Sequence, residues 1–487
     1  MKTICLYFEI HQPVHLKRYR FFDIGKDHYY YDDYENERSI TEVAQKSYIP
    51  ALQTMLEMAK TFGKQFKVSF SLSGVALEQL EMYASEVIDL LLQLSETGCV
   101  EFLAEPYSHG LSSLCNEDVF IEETKRMVKK IKELFGQTPK VLRNSSLIYD
   151  DEIGALAGRM GFKGMLIEGA KHILGWKSPH FVYSCAMDPN VKLLVRDYKF
   201  SDDISLRFND SSWNEYPLFA DKYISWIDQL PQEEQIVNIF MDLCALGIYQ
   251  PLSSNILEFL KALPALAKDK GIVFATPSEI FDRCKPVAPL EVAYPISWND
   301  EERDTSCWLG NGMQREAFNK LYQEAGRILA CRDRRIKQDW DRLQACDNLH
   351  YITTKPTGVG MYRGFYESAY DAFTNYMNIL GDFITRVKNL YPDEIENEEL
   401  NSLLTTIKNQ SDELTKKDKE IKQLENMLAK LEAKQGTEPK AEKPAAKKAP
   451  AKKAEPKAEP KAEAEVAPKA EKPAPKKAPA KKTTAKK

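Results

Sequence analysis

For the first 280 positions the apolar residues of this chain come in short, nearly continuous runs. Beyond residue 300 they spread to a spacing of three to four. The early runs include TICLYFEIH, FKVSFSLSG, VEFLAEPYS, KVLRNSS, GMLIEG, LLVRDY, IVNIFMDL and GIVFATP. They are rich in β-branched and aromatic residues and barely alternate, as expected of strands covered on both faces. Between them lie amphipathic helical patterns such as GVALEQLEMYASEVIDLLLQLSETG and NEDVFIEETKRMVKKIKELFGQ. The second predicts a helix capped by Asn116, with Glu117 and Asp118 in its first turn. Strand alternating with helix predicts a parallel α/β sheet, and seven or eight repeats predict a closed barrel over residues 1–290. The later patterns, GMQREAFNKLYQEAGRILA and SAYDAFTNYMNILGDFITRVKNLY, predict a helical domain over 291–395.

Over 396–434 the pattern tightens to heptads. Leu400, Ile407, Leu414, Ile421 and Leu428 recur every seven residues, and Leu403, Gln410, Lys417, Leu424 and Leu431 fill the complementary position. This predicts a coiled coil and, through it, a homo-oligomer. From 435 to 487 the chain is almost entirely Lys, Ala, Pro and Glu, a composition that cannot bury a core and predicts a disordered tail.

Charge divides the chain in the same place. After residue 435 there are 16 Lys against 7 Glu, so a total of −5 leaves the preceding part at −14. The tail thus offers a basic surface to nucleic acid or another polyanion, while the folded part is acidic. The N-terminus reads as a strand rather than a secretory leader, and no run of 18 apolar residues predicts a membrane span. Nine cysteines without paired spacing predict reduced thiols in a cytoplasmic protein.

Four strand ends deliver polar clusters. FEIHQP supplies His11, and VEFLAEPYSHGL supplies Glu105, Tyr107 and His109. MLIEGA ends on Glu168, and NIFMDLCALG carries Asp242. A parallel barrel gathers strand ends on one face, so these groups are expected to converge. Two carboxylates suit glycoside cleavage, one protonating the leaving oxygen and the other attacking or supporting the anomeric carbon. Trp176, Trp213, Trp298 and Trp308 are candidates for stacking on sugar faces, though core packing explains tryptophan equally well. His11 and His15 are four apart, but Pro13 between them breaks the helix that would turn both toward one metal, and neither metal nor cofactor is expected.

The segments FEIHQP, VEFLAEPYSHGL, IEGAKHILGWKSPHFVYS, FMDLCALG and ISWNDEERDTSCWLGNGMQ stand in the order of the conserved regions of family 57 glycoside hydrolases. The chain resembles that family, and most of all its α-amylase branch, over about residues 1–390. The resemblance implies a (β/α)7 barrel followed by an α-helical domain, and a retaining enzyme acting on α-1,4-glucans such as starch, glycogen or maltooligosaccharides. It implies Glu168 as nucleophile and Asp242 as general acid/base, with His11, Glu105, His109, Trp176, Asp304 and Trp308 in substrate-binding regions.

The chain departs from the family pattern after Asp242. DLCALGIYQ stands where DYETFGEHQ is usual, so Cys244 replaces a glutamate. If the strand continues, Cys244 shares the face of Asp242 and lines the cleft. The departures leave a catalytically weak glucan-binding protein as an alternative to the hydrolase; a 4-α-glucanotransferase is another, because a sugar can take the place of water in the second step, and a metal-dependent deacetylase on a related barrel is a third.

Overall fold

The computed structural model describes residues 1–355, 366–391 and 405–417, and the isolated positions 419, 421 and 424. The chain divides into two units, Met1–Ile395 and Glu396–Lys487. The division expected at residues 290/291 falls inside the first.

Eight strands build the frame: β1 (Thr3–Ile10), β2 (Val68–Leu72), β3 (Val100–Phe102), β4 (Val141–Arg143), β5 (Gly164–Ile167), β6 (Val182–Cys185), β7 (Lys192–Val195) and β8 (Ile236–Asp242). All but β6 run parallel. β8 pairs β1, β1 pairs β2 and β2 pairs β3. A bridge from Ala104 to Leu142 joins β3 to β4, β4 pairs β5, and β5 pairs β7. The Asp197 N–H donates to the Asn238 carbonyl at 2.8 Å and links the end of β7 back to β8. Seven parallel strands therefore follow one another around a ring, and β6 lies outside it, antiparallel to β7.

The continuous apolar runs fold this way because both faces of each strand are covered. All eight residues of β1 are buried. Ile4, Leu6, Phe8 and Ile10 point outward into a core shared with helices such as Ile49–Phe62 and Ile256–Asp269. Cys5 and Tyr7 point inward and pack with Leu103, Val141, Leu166, Leu194 and Phe240. The helix Glu117–Phe135 begins where the sequence predicts, with the Asn116 side chain accepting from the Val119 N–H. It stops at Gly136, whose φ of 69° suits glycine in a left-handed cap.

The later helices, among them Gly312–Tyr322, Arg334–Leu343 and Ala369–Leu390, bury their apolar stripes in a second core. That core also takes Leu142, Met165, Ile167 and Val195 from the outer faces of β4, β5 and β7. The helical layer is thus fused to the ring. In the second unit residues 405–417 are helical, and the heptad positions Ile407 and Leu414 are exposed. Leu400, Leu403, Leu428, Leu431 and the basic tail lie outside the described residues.

All nine cysteines are free thiols, seven of them buried. Among the described residues no helix is long and apolar enough to cross a membrane.

Candidate active site

Strand alternation carries the inward face of the ring to its last layer, where the apolar residues give way to charge. Glu9 lies two positions beyond Tyr7, Asp242 two beyond Phe240, Glu168 two beyond Leu166 and Arg196 two beyond Leu194. Arg143 ends β4, and Glu105 and His109 follow β3.

Glu168 is 1% exposed. Arg196, itself fully buried, reaches its Oε2 at 3.3 Å, and Arg303 Nε lies 3.9 Å from Oε1. Gly169 makes the approach of β5 to β7 possible, because a Cβ there would stand 2.2 Å from the Arg196 carbonyl oxygen. Burial pushes the Glu168 carboxyl up from its usual range, while Arg196 and Arg303 pull against that shift.

Asp242 has the opposite surroundings. The Cys244 N–H donates to its Oδ1 at 2.9 Å, and the Tyr249 hydroxyl lies 3.0 Å from its Oδ2. No cation figures among the main influences on it; burial and then the neighbouring Glu9 carboxylate raise its pKa to about 6. The two expected catalytic acids therefore differ in kind, one bracketed by guanidinium groups and the other facing a like charge.

Glu105 and His109 meet in a second buried cluster. His109 Nδ1 lies 2.6 Å from Glu105 Oε1 and 3.3 Å from Glu9 Oε1. Arg143 donates to Glu9 at 2.6 Å and lies 3.4 Å from Glu105. Burial opposes charge on His109, but Glu9, Cys346 and Glu105 outweigh it and hold the imidazole pKa well above its ordinary value. The ring of His11 stacks on that of His109 with centroids 4.0 Å apart, and His11 is fixed by Ser73 at 2.7 Å and Asp347 at 2.9 Å. Ligand atoms of Glu9, Glu105 and His109 lie within 4.8 Å of one another, a spacing a cation can bridge. Arg143 already stands against both carboxylates and supplies the positive charge there.

The aromatic candidates separate. Trp298 packs edge-on against Phe240 at 5.3 Å, and Arg196 lies 5.6 Å from its ring centre. Trp176 is 94% exposed on the segment leaving β5. Trp213 packs against Trp226. Trp308 is buried in the helical core, 6.4 Å from the His350 ring, and Asp304 receives the Ser306 N–H at the start of a short helical turn.

One expectation is corrected. β8 ends at Asp242, and the next three residues form a 3₁₀ turn. Cys244 therefore leaves the strand register. Its thiol is 2% exposed, 3.4 Å from Gln12 Nε2 and 3.7 Å from the Tyr48 hydroxyl, not on the wall of an open cleft.

Five charged residues of the site escaped the motif reading: Glu9, Arg143, Arg196, Arg303 and Asp347. The first three end or nearly end apolar strands, and a charge closing such a run was the available signal.

Residues 5–293 match Glycosyl hydrolase family 57. A Methanocaldococcus jannaschii protein named "Putative alpha-amylase" is 38% identical over 404 residues, covering 79% of this chain and 84% of its own. Among solved structures, the fold is similar to a 4-alpha-glucanotransferase from Thermococcus litoralis, with a TM-score of 0.58 at 13% identity, covering 78% of this chain. This chain spans only 59% of that enzyme. It is also similar to a branching enzyme from Thermococcus kodakaraensis, with a TM-score of 0.58 at 15% identity, covering 82% of this chain and 94% of the other. For the alpha-amylase AmyC from Thermotoga maritima the TM-score is 0.54 at 12% identity, covering 82% and 96%. With its family match spanning more than half its length, the chain belongs to glycosyl hydrolase family 57 and is a glycoside hydrolase.

Proposed function

We propose that this enzyme hydrolyses α-1,4-glucans with retention, using Glu168 as nucleophile and Asp242 as general acid/base. The observation that carries this reading is the contrast in charge around the two acids. Arg196 and Arg303 favour the anionic form of Glu168. Burial and Glu9 favour the protonated form of Asp242.

In the first step Asp242 gives its proton to the glycosidic oxygen as that bond breaks. Glu168 forms a bond to the anomeric carbon, yielding a glycosyl ester and a free sugar end. In the second step Asp242, now a carboxylate, takes a proton from water. The water oxygen displaces Glu168, and both groups return to their starting states. If a sugar hydroxyl takes the place of water, the same intermediate yields transfer instead of hydrolysis. The glucan specificity rests on the likeness to relatives named as amylase, branching enzyme and glucanotransferase.

The test is turnover of maltoheptaose followed by chromatography of the products, wild type beside Glu168→Gln. The reading expects shorter maltooligosaccharides from wild type and a loss of about three orders of magnitude or more in the variant. A variant that keeps most of the turnover contradicts the assignment. Products longer than the substrate identify transfer.

A further inference from the structure

Arg303 does not belong to the barrel. It sits in the irregular segment between the 289–290 strand and the helix Ser306–Leu309, with φ of 55°, an uncommon conformation for a side chain of its size. Several contacts hold it there. Its guanidinium donates to the Trp298 carbonyl, and the Ser297 N–H donates to its own carbonyl at 3.2 Å, so the segment folds back on itself. Asp300, also at positive φ (48°), is tied to Lys355 at 2.8 Å. A strained backbone kept by several independent contacts marks a side chain whose placement has a use.

The guanidinium reaches two carboxylates. Nη2 lies 3.3 Å from Asp202 Oδ2, and Nε lies 3.9 Å from Glu168 Oε1. Asp202 Oδ1 in turn holds Arg196 Nη2 at 2.5 Å, and Arg196 Nη1 returns to Glu168 Oε2 at 3.3 Å. The four residues close a ring of alternating charge: Glu168, Arg196, Asp202, Arg303. Three are buried, whereas the Arg303 side chain is 18% exposed and closes the ring from the open side. Glu168 Oε1 makes no hydrogen bond within the protein, and Arg303 Nε stands 3.9 Å from it.

We propose that Arg303 is a positioning residue for Glu168, holding the carboxylate anionic and in one orientation. Asp202 shares the guanidinium and so sets how strongly Arg303 acts. The inference rests on Glu168 being the nucleophile, as proposed above. The groups acting on Glu168 are Arg196 from β7, Asp202 from the helix Tyr198–Ser205 and Arg303 from its own segment, and Tyr7 of β1 also interacts with it. Of these, the two arginines stabilise its anion and Asp202 opposes it.

The ring gives two substitutions of opposite sign. Arg303→Met removes a cation, so the acidic limb of kcat/KM against pH moves up, by about one unit. Asp202→Asn removes the competing anion and frees both guanidinium groups, so the limb moves down. Arg303→Lys, which keeps the charge but loses the fork, recovers most of the limb position and less of the rate. The measurement is kcat/KM on maltoheptaose from pH 4 to 8 for full-length wild type and the three variants, with Glu168→Gln as control.

Opposite shifts of the two limbs support the proposal. Loss of activity with both limbs unmoved overturns it, because a purely structural role lowers rate without moving a titration. Shifts in the same direction also overturn it. If Arg303→Met fails to fold, Arg303→Gln, which removes the charge but keeps a polar side chain, decides by the same upward shift of the limb. A Glu168→Gln control that retains turnover instead rejects the nucleophile assignment, whatever Arg303 does.

Discussion

Glu9 and Asp242 are direct register partners on the adjacent parallel strands β1 and β8. Side chains at paired positions of parallel neighbours lie side by side on the same face, so two carboxylates are held next to each other at the top of the ring. Together with burial, Glu9 lifts Asp242 to a pKa of about 6. The general acid is needed protonated, so the proposed chemistry falls off as pH rises through that value.

Glu9→Gln removes the like charge and lets the Asp242 pKa fall. The alkaline limb of kcat/KM against pH is expected to move to lower pH, by about one unit, shifting the optimum acidward. An unmoved limb in the pH profile of Glu9→Gln means that burial alone sets the proton on Asp242.

Asp242→Asn should lose about three orders of magnitude or more on maltoheptaose, where the leaving oxygen needs a proton. It should lose far less on α-glucosyl fluoride, whose leaving group needs little protonation. Equal losses on the two donors, measured under the same conditions, would remove Asp242 from the acid role.

Arg143 is fully buried against Glu9 and Glu105. Arg143→Leu leaves both carboxylates without their main cation, and a broken buried ion pair costs about 3–5 kcal/mol. Chemical denaturation of the full-length protein in both forms measures it, and a change below about 1 kcal/mol would show that water or His109 replaces the guanidinium.

Cys244→Glu places a carboxylate in the buried space between Gln12 and Tyr48. The expected result is destabilisation by about 2 kcal/mol or more with no gain in turnover. A variant that is both stable and faster on maltoheptaose would show that a side chain at 244 reaches the substrate after all.

Much of this site could be read from the chain, for a physical reason. A strand covered on both faces writes itself as an unbroken apolar run, and a charge at its end stands out, as Glu168 after MLI and Asp242 after IFM do. Glu105 and His109 share one strand exit, so a short motif contains both. Glu9 was hidden because it lies inside the run FEIH, where a single polar residue resembles ordinary alternation. Arg143 and Arg196 were read only as parts of strands, since arginine is mostly a surface residue and full burial needs partners from other strands. The ring around Glu168 unites positions 168, 196, 202 and 303, and no local pattern links them. Cys244 falls out of register because the end of β8 is set by Asp242 capping the next turn through the Cys244 N–H. The apolar run does not mark that end.

The coiled-coil expectation has its own test. Ile407 and Leu414 are exposed in the single chain, as unpaired heptad positions would be. Removing residues 396–487 should leave the Met1–Ile395 unit folded and lower the molar mass seen by light scattering. A full-length protein that is already monomeric would reject the homo-oligomer.

Double displacement requires a covalent bond between a sugar and Glu168, and trapping that bond is the decisive experiment. A 5-fluoro-α-glucosyl fluoride carries a good leaving group, while its ring fluorine slows both displacement steps, so the ester accumulates. Intact mass spectrometry followed by peptide mapping reads its position. The expected result is one added fluoroglucosyl group on the peptide containing Glu168 and none in Glu168→Gln. A label on another carboxylate, or turnover with no adduct and inverted product by NMR, would contradict it.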